Sequence, residues 1–111
     1  MIEQVRPAEL QSWMQSHGAD AIVLDVREPA EWQAASVQPQ GFELVNIPMN
    51  EIPGRLGQLD PGRAVACLCH HGTRSLRVAM FLQANGFATV ANIAGGIEAW
   101  SRELDPSVPR Y

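Results

Sequence analysis

The chain contains no lysine, all eight of its basic residues being arginine, which excludes Schiff-base chemistry and a lysine-bearing phosphate loop. Cysteine is scarce: only Cys67 and Cys69 occur, one residue apart. Neighbours that close in one strand point the same way with poor disulfide geometry, so reduced thiols and a cytoplasmic protein are expected. Charge is sparse as well, at 18% of 111 residues with a formal net charge of -4. Acids and arginines are interspersed without a basic face, which argues against nucleic acid as a partner. No apolar run approaches the ~18 residues of a membrane span, and Met1-Ile2-Glu3-Gln4 has neither the charged nor the apolar part of a secretory leader. No membrane partner is expected.

What is present is a 46% hydrophobic chain of single-domain length, enough for a sizeable core. Ile2 to Val5 reads as a short edge strand, and Pro7 to about Ser16 as an amphipathic helix with Leu10, Trp13 and Met14 facing inward, closed by His17-Gly18. Ala21 to Leu24 is an uncharged run of strand length, the pattern of a strand buried on both faces. A short helix is expected over Glu28 to Ala35, a loop over Ser36 to Glu43, a strand over Leu44 to Ile47 and a helix over Asn50 to Leu59. Further strands read at Ala64 to Leu68 and Thr89 to Ile93, with helices at Arg74 to Ala84 and Ile97 to Arg102. Alternation of strands and helices implies right-handed β-α units: an α/β fold with a mostly parallel five-stranded sheet flanked by helices on both faces. The loops after Leu24, Ile47, Leu68 and Ile93 then share the carboxyl edge, where such sheets bind ligands, so Arg27, Cys69 and Gly95-Gly96 are expected to converge.

The chain is organised around Val65 to Ser75, V-A-C-L-C-H-H-G-T-R-S. An apolar strand delivers Cys69 to a turn, and a helix opens at about Arg74. Backbone N–H groups and a helix N-terminus then point at one spot, which favours an anion there, the Cys69 thiolate included. Gly72 lets the backbone turn inward, Arg74 is a permanent cation, and His70 and His71 can add charge or hydrogen bonds. Cys69 is the candidate nucleophile. The readings set beside it are an inert core thiol, a metal site at Cys67, Cys69, His70 and His71 whose spacing suits zinc poorly, and Cys67 as a resolving thiol or a core residue. Asp25 and Arg27, at the end of their strand, either bind ligand or cap and salt-bridge the next loop and helix.

Five segments in register resemble the single-domain rhodaneses: L-D-V-R-E-P-A-E-W (Leu24 to Trp32), N-I-P (Asn46 to Pro48), C-H-H-G-T-R-S (Cys69 to Ser75), N-G-F (Asn85 to Phe87) and A-G-G-I-E-A-W (Ala94 to Trp100). The resemblance implies a rhodanese-like domain over residues 1–103, with 104–111 a surface tail, and a sulfurtransferase that needs no cofactor or metal. Cys69 would take sulfane sulfur from a small donor such as thiosulfate as a persulfide and pass it to cyanide or a thiol, either free or carried by a protein. It further implies that the backbone of His70, His71, Gly72, Thr73, Arg74 and Ser75 cradles the outer sulfur, that Arg74 stabilises the anionic donor, and that Asp25 and Arg27 match the family's D-x-R. Cys69 to Arg74 spaces as C-x₄-R, shorter than the C-x₅-R of related phosphatases, which sets a phosphatase behind a sulfur carrier. A non-enzymatic persulfide module stands as the alternative. Ala35 to Phe42 departs from the family pattern and is expected to border the site.

Overall fold

The computed structural model describes residues 2–17 and 20–111; the expected helix stop at Gly18 lies outside them. Five strands, β1 (Glu3–Val5), β2 (Ile22–Asp25), β3 (Glu43–Asn46), β4 (Val65–Leu68) and β5 (Val90–Ile93), form one sheet in the order β1-β5-β4-β2-β3, every neighbouring pair parallel. Among the described residues, four α-helices cover it: α1 (Leu10–His17), α2 (Pro29–Ala34), α3 (Thr73–Ala84) and α4 (Gly96–Glu103). No helix among the described residues is long and apolar enough to cross a membrane.

The uncharged strands are explained by burial on both faces, since alternate side chains leave opposite sides of a strand. Val23, Ala66, Ala91 and Ile93 join Leu10, Trp13, Met14, Ile97 and Trp100 of α1 and α4 in one apolar layer. Leu24, Val65, Cys67 and Val90 join Val78, Ala79 and Leu82 of α3 in the other. Removing this much apolar surface from water is the main stabilising term, at about 25 cal/mol per Å². The central strand β4, fully buried, carries the organising cysteine at its carboxyl end.

Two expectations are corrected. The helix expected over Asn50 to Leu59 is a pair of 3₁₀ turns, Met49–Glu51 and Pro53–Gln58, with a non-helical residue at Arg55. Pro53 has no N–H for an α-helical bond, and Gly54 and Gly57 lower the helix propensity of the second half of this stretch. The segment Ala35 to Phe42 borders the site only at its start. Parallel strands oblige the chain to cross back to the amino edge before β3, so Gln38, Gln40 and Phe42 line a separate cavity of about 270 Å³ with Met14 and Trp100.

The C-terminal residues fold back over the surface. Val108 is buried, its carbonyl accepts a hydrogen bond from the Ser101 hydroxyl at 2.7 Å, and Arg110 pairs with Glu98 at 2.8 Å. The chain thereby returns to the carboxyl edge of the sheet.

Candidate active site

Cys69 follows β4 directly, and His70, His71 and Gly72 turn the chain into α3. Gly72 is the residue before the helix, at a left-handed φ of +102°, a conformation glycine adopts without steric cost. A Cβ here would meet the main-chain nitrogen of Gly95 at 3.2 Å. The turn aims the Gly72 N–H at Sγ of Cys69, 3.0 Å away, and Ser75 on the first turn of α3 brings its Oγ to 3.2 Å from the same sulfur. The sulfur thus faces the positive end of a twelve-residue helix. Cys69 is 1% exposed, so the loop lies over its own thiol.

The loop is held from outside by α4. The N–H of Ile97 donates to the Cys69 carbonyl at 2.9 Å and that of Glu98 to the His70 carbonyl at 3.2 Å, so orphan donors of one helix satisfy the exposed acceptors of the loop. Such contact requires a bare backbone at Gly96, where a Cβ would sit 2.4 Å from the His70 oxygen. The expected convergence of Cys69 with Gly95-Gly96 is found.

Arg74 has a partner that the spacing alone did not supply. Its Nη1 and Nη2 donate to the two carboxylate oxygens of Glu31, on α2, at 2.7 and 2.9 Å. The same carboxylate accepts the Glu28 N–H at 3.1 Å and the Tyr111 hydroxyl at 2.8 Å. Hydrogen bonds from Arg74, which outweigh the opposing effect of burial, hold the Glu31 carboxyl down at about 2, from an ordinary 4.5. The pairing with Glu31 raises Arg74 in turn. Thr73 is exposed at the start of α3.

His70 stacks on both His71, at 3.9 Å between centroids, and Tyr111, at 4.0 Å. Burial, and next the charge of His71, lower its pKa, which favours the neutral imidazole. Ligand atoms of His70, His71 and Glu98 lie within 4.8 Å of one another. The two imidazoles are nearly parallel, at 22°, and the Glu98 carboxylate faces Arg102 and Arg110.

Asp25 and Arg27 are each 0% exposed, which favours the second of the two readings, the cap and salt bridge, over contact with ligand. Arg27 Nη2 pairs with Asp25 Oδ2 at 2.7 Å and donates to the Ala35 carbonyl at 2.9 Å, while Nη1 donates to the Tyr111 hydroxyl at 2.9 Å and the Glu31 carbonyl at 3.2 Å. The pair braces α2 and Tyr111 behind the loop. Cys67, also fully buried, belongs to the apolar layer under α3; burial, with Cys69 adding to it, pushes its thiol up. Glu31, Tyr111 and Asn92 escaped the sequence reading. Only Asn92 left a signal, being a polar residue inside a fully buried strand.

The Glu31 hub makes the site acid-sensitive. A carboxyl lowered on folding stabilises the fold above pH 4.5, and that contribution is lost as pH falls towards 2. A histidine lowered on folding acts in the same direction, its contribution full above pH 6.5 and shrinking below. Glu31→Gln is therefore expected to cost about 1–3 kcal/mol at pH 7 by leaving Arg74 without its anion, and to flatten the stability profile between pH 4.5 and 2. Urea unfolding across that range measures both.

The fold and site define a class: a parallel α/β domain that presents a thiol to a helix N-terminus at the carboxyl edge of its sheet. The family model described as "Rhodanese-like domain" matches residues 6–103, and the chain belongs to that family. It is 38% identical to the rhodanese-like/PpiC domain-containing protein 12, chloroplastic, of Arabidopsis thaliana, covering 99% of this chain and 38% of that protein. It is 36% identical to a sulfurtransferase of Allochromatium vinosum, over 80% of this chain and 79% of the other. The crystal structure of a rhodanese-related protein from Thermoplasma volcanium superposes with a TM-score of 0.78 at 29% identity, covering 98% of this chain and 99% of that one. Several curated relatives are longer, the chain spanning from 20% to 38% of their length. Among the relatives, the protein of Allochromatium vinosum bears the name sulfurtransferase and one of Bacillus subtilis the name putative sulfurtransferase YtwF.

Proposed function

We propose that the protein moves sulfane sulfur through a persulfide on Cys69, with thiosulfate or a similar small anion as donor and cyanide or a thiol, either free or carried by a protein, as acceptor. The observation that carries this reading is Sγ of Cys69 at the N-terminus of α3, accepting the Gly72 N–H at 3.0 Å. A thiolate there attacks the outer sulfur of thiosulfate, the donor's S–S bond breaks, and sulfite leaves with the electron pair. Attack by an acceptor thiolate on the outer sulfur of the persulfide then returns Cys69 as thiolate. Backbone N–H groups of the loop are the donors available to both anions. Arg74, with Glu31 on its guanidinium, supports the loop and tempers the positive field. The cytoplasm, or another compartment that keeps thiols reduced, suits a carrier of this kind.

Incubation with thiosulfate followed by intact mass spectrometry tests the reading. The expected result is a gain of one sulfur atom, removed by cyanide; no gain overturns it. The 1% exposure of Cys69 favours a second reading, in which a partner protein opens the loop and sulfur is only handed over. Loading without turnover on cyanide or a small thiol would select that reading.

A further inference from the structure

Ser75 has one hydroxyl proton and two neighbours that can take it. Its Oγ lies 2.5 Å from Oδ1 of Asn92 and 3.2 Å from Sγ of Cys69. The Asn92 amide has a determined orientation, because its Nδ2 is 3.0 Å from the carbonyl of Gly72 and a carbonyl only accepts. Nδ2 also donates to Oε1 of Gln4 at 3.0 Å, so Oδ1 is the atom that faces Ser75. An amide oxygen too can only accept, and the 2.5 Å contact therefore uses the Ser75 proton. The hydrogen in the Cys69–Ser75 contact must then come from the sulfur. The sequence of donors is S–H to Oγ, then O–H to Oδ1, and it is complete only while Cys69 is a thiol.

From this count we infer that Asn92 is a positioning residue that restrains the nucleophile, holding the Ser75 hydroxyl proton away from the Cys69 sulfur until the thiol ionises. When Sγ gives up its proton, Ser75 can serve the resulting electron pair only by turning its O–H away from Asn92. That leaves Oδ1 unpaired among side chains that are 0% to 2% exposed, which opposes ionisation. The restraint concerns the reacting thiol of the proposed function, yet alkylation reads it without any sulfur donor, so failure of sulfur transfer and failure of this inference are separate outcomes.

The experiment is the pH dependence of iodoacetamide alkylation in the unaltered protein, Asn92→Ala, Ser75→Ala and the double variant. Cys67 of β4 and Arg74 of α3 interact with Cys69 by charge, Glu31 of α2 pairs with Arg74, and Glu98 of α4 lies beside His70 and His71 of the loop; all are common to the four proteins. Asn92→Ala is expected to lower the midpoint by about one pH unit, a tenfold faster reaction below it. In the Ser75→Ala background the same substitution should leave the midpoint where it was, because Asn92 acts through the hydroxyl. A midpoint unchanged or raised in Asn92→Ala, or the same fall with Ser75 removed, overturns the inference. The number of adducts reports folding, since a second one means that buried Cys67 has been exposed. Asn92→Leu, which fills the site without an acceptor, carries the same expectation if the alanine variant fails that check.

Discussion

Cys69→Ser is expected to reduce thiosulfate-dependent sulfur loading to background, whereas Cys67→Ala should load within about twofold of the unaltered protein. The contrast arises from where two thiols, one residue apart, are delivered. Cys67 lies within β4, fully buried in the apolar layer beneath α3, where burial keeps its proton on. Cys69 is the next residue on the same face, but past the strand end, where a backbone N–H and a hydroxyl already meet its sulfur. A serine hydroxyl in that place cannot ionise usefully near neutral pH, and no second thiol is close enough to the loop surface to substitute. Loss of Cys67 should appear in stability instead, at about 1 kcal/mol for the volume removed from a packed layer. Intact mass after thiosulfate, with thermal melting of both variants, measures the two effects; equal loading of both would assign the sulfur to the wrong residue.

Gly96→Ala is expected to destabilise the protein by about 3 kcal/mol or more, lowering the melting temperature by about 10 °C or more and sulfur loading with it. The residue has a φ of +63°, which favours glycine, and the added methyl would fall 2.4 Å from the carbonyl oxygen of His70 and 2.6 Å from that of Cys69. Both obstacles are backbone, so no rotamer change relieves them. Either the loop lifts off α4, losing the bonds from Ile97 and Glu98, or the helix moves. Gly57→Ala is the control, because a methyl there meets nothing within 4 Å. A melting temperature for Gly96→Ala within a few degrees of that control would mean that the loop and α4 are not tightly joined.

The residues that could be read in advance were those whose meaning is local. Four uncharged runs flanked by turns and helical periods dictate a buried parallel sheet, and C-H-H-G-T-R-S carries its turn and its nucleophile within seven consecutive positions. Glu31 and Tyr111 could not be read so, because they meet Arg74 and each other across 43 and 80 residues and belong to side-chain types common on any surface. Missing them changed the role given to Arg74: a cation written beside a thiol suggests a partner for anions, yet an ion pair across the fold takes up both of its Nη groups. Asp25 and Arg27 were placed at the correct edge with two roles left open, since position along a strand gives the edge and not the burial. The error over Asn50 to Leu59 was local, apolar spacing having been given more weight than Pro53 and two glycines.

The two amides by which α4 grips the loop have a consequence for observing the molecule at work. Ile97 and Glu98 donate to the carbonyls of Cys69 and His70 and to nothing within their own helix, so their hydrogens can exchange with solvent only when the loop parts from α4. In a hydrogen-exchange experiment these two positions serve as native reporters of loop opening, distinguishable from fraying of the helix because the amide of Ala99, bonded to Gly95, tracks the helix instead. The rate at which a nearly enclosed sulfur meets its donors could thus be followed without altering a single residue.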